Sequence, residues 1–282
     1  MSCAGCFTGG VRDGKPKGTY EQLHGYRTYI AKPSKPHLSG SKILYLPDFF
    51  SHKLVNNALL ADAYAEETGL EVIFPDIVRN GGVDPSWMPV FEPLMSDTTP
   101  FWQKLWCGIL IIPLLPMMIL GGPEKAYPEI LRYARAVKAS LPQGAKLGVA
   151  GFCWGGYGST HLCKEAAVEG GTENLIGAHF AGHPSRLDAP KDVVDAITQR
   201  NVPYSVAVAE IDPMYDAKKA EETEARLRQD GVESGKDGKV FEIKIYKGSH
   251  HGFCCRLKEG EDEENAAAAE KQASEWFKKH LT

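Results

Sequence analysis

A chain of 282 residues, 43% hydrophobic and 24% charged, has the mix of an ordinary globular protein and is long enough to bury a large core without covalent staples. Its formal net charge of −4 at pH 7 supplies no general basic field, which excludes nucleic acid as an expected partner. The cysteine count of seven is odd, and no positive region leads into an apolar core near Met1, so the expected setting is reducing and cytoplasmic, with thiols rather than disulfides.

Residues 1–19 read as an irregular lead-in, rich in Gly, Lys and small side chains. Cys3 and Cys6 form a C-x-x-C there, but no second pair follows at zinc-finger spacing, so a tail is expected and not a metal site. Apolar runs then alternate with helical patterns. Strands are predicted over Tyr26–Ala31, Lys42–Leu46, Leu70–Phe74, Leu147–Phe152, Leu175–Phe180, Tyr204–Ala209 and Val240–Tyr246. Helices are predicted over Asn57–Thr68, Ala126–Leu141, Tyr157–Ala167, Ala217–Gln229 and Glu264–Leu281. This rhythm predicts one α/β domain over residues 20–282, with a mainly parallel central sheet and helices on both faces.

One stretch breaks the rhythm. No residue from Leu105 to Pro123 is charged, a length approaching that of a membrane span. Pro113 and Pro116 interrupt it, Gly108, Gly121 and Gly122 loosen its ends, and elements of one sheet lie on both sides of it. The expectation is therefore an apolar lid-like insertion at about residues 88–123, with no transmembrane span. A patch for a membrane surface or for self-association is the alternative.

The strongest chemical signal is Gly151-Phe152-Cys153-Trp154-Gly155-Gly156, between an apolar strand and a helical stretch. It matches the nucleophile elbow G-x-S-x-G with cysteine in the serine position. Small residues two before and two after the nucleophile let strand and helix pack closely. The helix N-terminus favours a thiolate, and the Trp154 N–H is placed to donate to an oxyanion. Such a triad needs an acid and then a histidine further along the chain. Asp212 follows a predicted strand in I-D-P, and His251 follows another in H-H-G-F. Asp216 and Glu210 compete with Asp212, and His250 competes with His251. His161, His179 and His183 read as packing or surface residues, with His183 the one that could line a pocket.

The G-F-C-W-G-G elbow, the I-D-P turn and the H-H-G-F segment together resemble the dienelactone hydrolase family, from about residue 40 onward. The resemblance implies the α/β-hydrolase fold and a triad of Cys153 as nucleophile, His251 as general base and Asp212 as its orienter. It also implies a second oxyanion donor at the Phe49 backbone N–H. Asp48 stands where bacterial members of the family carry a glutamate that controls the charge of the cysteine. Arg79 and Arg256 are the candidates for the arginines that hold a substrate carboxylate. The implied activity is hydrolysis of a small-molecule lactone or carboxylic ester through a cysteine acyl-enzyme, with no metal or organic cofactor. The apolar insertion points to an ester or lactone larger or greasier than a dienelactone. The rival readings are a non-catalytic binding protein on the same scaffold, and another acyl-transfer or dehalogenating enzyme with the same triad.

Overall fold

Successive side chains of a strand point to opposite faces, so the near-continuous apolar runs of the central strands give each two burying faces, and a sheet covered on both sides results. The computed structural model describes residues 10, 13–90, 99–114, 116, 120–256 and 263–282. Its strands are β1 (Thr19–Leu23), β2 (Tyr26–Ala31), β3 (Lys42–Leu46), β4 (Glu71–Pro75), β5 (Leu147–Phe152), β6 (Ala178–Gly182), β7 (Tyr204–Ile211) and β8 (Phe241–His250). They form one eight-stranded sheet in the order β1-β2-β4-β3-β5-β6-β7-β8. β2 runs antiparallel to both its neighbours, and every pairing from β4 across to β8 is parallel.

The helices are α1 (Val55–Thr68), α2 (Phe101–Leu110), α3 (Pro123–Ser140), α4 (Trp154–Leu162), α5 (Lys191–Thr198), α6 (Ala217–Gln229) and α7 (Glu263–Leu281). Leu44, Leu46, Leu147 and Val149 pack on one face with Ile130 and Val137 of α3, Ile197 of α5 and Leu227 of α6. Ile43, Tyr45, Ala150 and Phe152, the intervening positions, pack on the other face with Tyr64 of α1 and with Trp276 and Phe277 of α7. Each large apolar side chain enclosed this way contributes about 1.5–3 kcal/mol.

Two elements depart from the sequence expectation. Thr19–Leu23 is a strand, where the sequence pattern predicts no element between the lead-in ending at residue 19 and the strand starting at Tyr26. Four of its five residues are exposed, and it is held to β2 by a hairpin through His24 and Gly25, whose φ values are 50° and 90°. Lys191–Thr198 is a helix, although its Val193, Val194, Ile197 and Thr198 are β-branched. Burial of Val193, Ala196 and Ile197 outweighs their weak helix preference. The run Leu175–Phe180 enters the sheet late: Leu175 and Ile176 are buried ahead of it, and pairing begins where Ala178 meets Gly148.

Register decides what meets at the carboxyl ends of the strands. Leu46 of β3 pairs with Gly151 of β5, so the residues just after β3 lie beside the elbow. Ile211 of β7 pairs with His250 of β8 after an irregularity in the ladder at Ala209/Ile211, so Asp212 and His251 leave the sheet side by side.

Candidate active site

Cys153 sits at the junction of β5 and α4 with φ 47° and ψ −108°, a backbone state that side-chain-bearing residues rarely adopt. Close packing enforces the turn. A Cβ on Gly151 would run into the Ser159 side chain, and one on Gly155 would strike the Leu46 carbonyl. Hydrogen bonds fix it from both neighbouring strands. The Gly155 N–H donates to the Pro47 carbonyl at 2.9 Å, the Cys153 N–H to the Gly182 carbonyl at 3.2 Å, and the Ser185 N–H to the Cys153 carbonyl at 3.0 Å. The sulfur lies 4.0 Å from Ser185 Oγ and the residue is 2% exposed. Trp154 opens α4, so its N–H belongs to the first turn, whose N–H groups have no partner within the helix.

The acid and the histidine meet this sulfur. His251 Nδ1 lies 2.7 Å from Asp212 Oδ2, and His251 also shares a hydrogen bond with Cys153. With Nδ1 committed to Asp212, Nε2 is the nitrogen left for sulfur. Asp212 Oδ1 accepts from the Met214 and Tyr215 N–H groups at 2.8 and 3.4 Å, which fixes the carboxylate in its turn. Both side chains of the pair are 0% exposed. Burial acts to lower the His251 pKa, but the Asp212 carboxylate, the Cys153 sulfur and the hydrogen bonds to both outweigh it and lift the pKa well above 6.5. The competing acids are engaged elsewhere: Asp216 caps α6 by accepting from the Lys219 N–H at 2.9 Å, and Glu210 accepts from the Gly248 N–H at 2.8 Å.

A second buried pair lies close enough to the sulfur to feel its charge. The Asp48 carboxylate accepts from Arg256, and both side chains are 0% exposed. Asp48 Oδ1 also accepts from Asn57 Nδ2 at 2.9 Å and from the Phe50 N–H at 3.1 Å, while the Arg256 guanidinium lies over the Phe50 ring at 5.2 Å. Burial raises the Asp48 pKa, Arg256 pulls it back in part, and the nearby Cys153 adds to the rise. Asp48 and Arg256 therefore have no exposed surface to offer a substrate, which departs from the expectation that Arg256 reaches out to a carboxylate. Its guanidinium is aimed inward at Asp48. Arg79 stands apart from this cluster, exposed on the short turn Arg79–Gly81 after β4. Phe49 is buried between β3 and the turn Ser51–Lys53, next to Asp48 in the chain.

The apolar segment borders the elbow. Trp154 Nε1 donates to the Gly121 carbonyl at 2.7 Å, and Arg186, on the turn after β6, pairs with Glu124 at the start of α3 at 3.0 Å. Within α2 only Cys107 is buried. Phe101, Trp102, Leu105, Trp106 and Ile109 are exposed, with Trp102 at 76%. Among the described residues no helix is long and apolar enough to cross a membrane. Residues 91–98, 115 and 117–119 of the expected insertion, and the Cys3–Cys6 motif, lie outside the described residues. Among the described residues no group of three or more His, Cys, Asp or Glu side chains could hold a metal ion.

Two neighbours of the triad carry no spacing signal in the sequence: Ser185 beside the sulfur, and His183, whose ring lies 5.0 Å from that of His251. Both sit in the short H-P-S turn after β6, and only the pairing of β6 with β5 brings that turn to the elbow.

An eight-stranded, mostly parallel sheet flanked by helices, with a strand-to-helix elbow at the carboxyl end of β5, defines an α/β hydrolase. The model of the dienelactone hydrolase family matches residues 26–281, and the chain belongs to that family. It is similar to the hydrolase tropI of Talaromyces stipitatus, 26% identical over 284 residues that span 100% of this chain and 96% of the relative. It is 28% identical to a carboxymethylenebutenolidase homolog of Xenopus tropicalis, over 94% of this chain and 92% of the relative. The crystal structure of a dienelactone hydrolase from Anabaena variabilis shares the fold, with a TM-score of 0.53 at 15% identity over 95% of this chain and 99% of that one.

Proposed function

We propose that this hydrolase cleaves a lactone or carboxylic ester through an acyl-enzyme on Cys153. The observation that carries the proposal is the hydrogen-bonded line Cys153–His251–Asp212, enclosed at the carboxyl ends of β5, β7 and β8. In this reading His251 takes the thiol proton, and Asp212 holds the resulting imidazolium. The thiolate attacks the substrate carbonyl while the Trp154 and Phe49 N–H groups receive the oxyanion. His251 returns its proton to the departing alcohol oxygen, then draws a proton from water as that water opens the thioester. The raised His251 pKa supports a base able to hold the sulfur's proton near neutrality.

Asp48 and Arg256 set the charge beneath the thiol in this proposal instead of contacting substrate, because both are enclosed. Arg79 is the side chain proposed for an anionic group on the substrate, being exposed on its turn. The apolar segment, whose Gly121 end borders the elbow, favours an ester with a hydrophobic arm over a small polar lactone. The five described cysteines are buried and outside any disulfide, which supports a reducing, cytoplasmic setting.

The test is to trap the intermediate. Intact-mass and peptide mass spectrometry after brief incubation with a panel of lactones and activated esters should find an acyl group on the peptide bearing Cys153. Cys153→Ala should lose both the adduct and the turnover. Undiminished turnover by Cys153→Ala would overturn the proposal.

A further inference from the structure

Beside His251 stands a histidine that the proposed chemistry does not use. His183 follows β6 on the turn Gly182–Ser185 at a φ of 37°, and its N–H donates to the Ala207 carbonyl at 2.9 Å. The same turn grips the nucleophile's backbone twice, since the Gly182 carbonyl accepts from the Cys153 N–H and the Ser185 N–H donates to the Cys153 carbonyl. The His183 side chain crosses from there to the base. Its ring centre lies 5.0 Å from that of His251 at an interplanar angle of 79°, and Phe152 and Phe253 close it in at 6.2 and 5.9 Å. It is 0% exposed, and neither ring nitrogen has a hydrogen-bond partner among the described residues.

Buried polar atoms are nearly always bonded, so an imidazole enclosed this way calls for a reason. The charged groups that face it, His251 and Arg256, are both cationic when ionised, and with burial they push its pKa well below 6.5. Asp212 is turned to the Nδ1 of His251. A proton on His183 would meet like charge and no solvent. A neutral ring, in contrast, can lie edge-to-face on His251 and can accompany an imidazolium there without repulsion.

We propose that His183 is a positioning residue for the base: a neutral ring that fixes the plane of His251 between Asp212 and Cys153 and leaves His251 as the sole acceptor of the thiol proton. One turn thereby sets both reacting partners, holding the nucleophile through its backbone and the base through the His183 ring. The inference rests on the reading of Cys153 as nucleophile and His251 as its base.

The experiment measures the pH dependence of Cys153 alkylation by iodoacetamide, peptide by peptide, together with kcat and KM on an activated ester. Wild type is compared with His183→Ala, His183→Phe and His183→Gln. His183→Ala should lose about 10- to 100-fold in kcat with KM nearly unchanged, the size of effect a misplaced catalytic group produces. Its alkylation midpoint should move to higher pH. His183→Phe, which restores a neutral ring, should recover most of both. A folded His183→Ala with the wild-type profile would overturn the proposal. Recovery by Gln but not by Phe would overturn it as well, by giving the nitrogens a chemical role. If the variants do not fold, ring-nitrogen NMR on the wild-type protein decides. His183 should stay neutral from about pH 5 to 8, the range over which a histidine in water changes charge, and a titrating His183 would overturn the proposal. The outcomes separate cleanly. Slow, pH-independent alkylation of wild-type Cys153 would sink the triad itself, whereas a normal wild-type profile that His183→Ala leaves unmoved would sink only the role of His183.

Discussion

Two buried ion pairs interact with Cys153, and they differ in one respect that matters. Asp212–His251 and Asp48–Arg256 each join one carboxylate to one cation, with no exposed side-chain surface. The cation of the first is an imidazolium that can give up its proton, with a pKa lifted well above 6.5, and that of the second stays charged at any ordinary pH. In the proposed mechanism the first pair therefore receives a proton from the sulfur and gives it back. The second supplies a fixed pattern of charge and a rigid floor, tied to Asn57 and to the Phe50 backbone. Equal burial thus serves two purposes, and which purpose is set by the chemistry of the cation.

The largest expected effect comes from breaking the proton-carrying pair. Asp212→Asn should keep the fold but lower kcat on an activated ester by about ten-thousand-fold, the loss seen when such a histidine is held in the wrong tautomer. Steady-state assays beside a circular dichroism spectrum check both halves of that statement. Breaking the fixed pair should act first on stability. Arg256→Met strands the Asp48 carboxylate in the interior and should cost about 3–5 kcal/mol in urea unfolding. Asp48→Asn combined with Arg256→Met should recover most of that loss, because no lone charge remains.

The smallest effect is a difference in pH dependence. Both His251 and Asp48 have pKa values raised in the folded protein. Each folded state therefore holds its proton more tightly than the unfolded chain does. The associated stability is fully present below the unfolded pKa and is lost as pH rises through the folded one. For His251 the decline begins above 6.5, and for Asp48 above 3.8. Urea unfolding across pH should show both declines in the wild type, and Asp212→Asn should flatten only the upper one.

Much of this arrangement was legible in the sequence, for physical reasons that can be named. The elbow announces itself because glycines two before and two after Cys153 are a steric necessity. The strands β2, β3 and β5 match their predicted ranges because their alternating apolar residues face two distinct cores. The edge strand β1 was hidden because its side chains stay in water and leave no apolar pattern. Helix α5 was hidden by β-branched residues whose preference yields to burial. At the site, Asp48 and Arg256 were both singled out, but their union was not. They lie 208 positions apart in the chain, and no local pattern reports a contact made through the fold. His183 was singled out only as a residue that could line a pocket, and Ser185 escaped for the same reason, since the pairing of β6 with β5 carries their turn to the sulfur.

The position of β8 has a consequence for heat. Among the described residues β8 is the last strand of the sheet, paired on one side, and His251 leaves directly from its end, whereas the elbow lies at the sheet's centre. Outer strands open more readily than central ones. Warming should therefore detach the base from the sulfur while most of the sheet still stands. The working temperature of the site is limited by its outermost ladder of hydrogen bonds, and inactivation would set in ahead of melting.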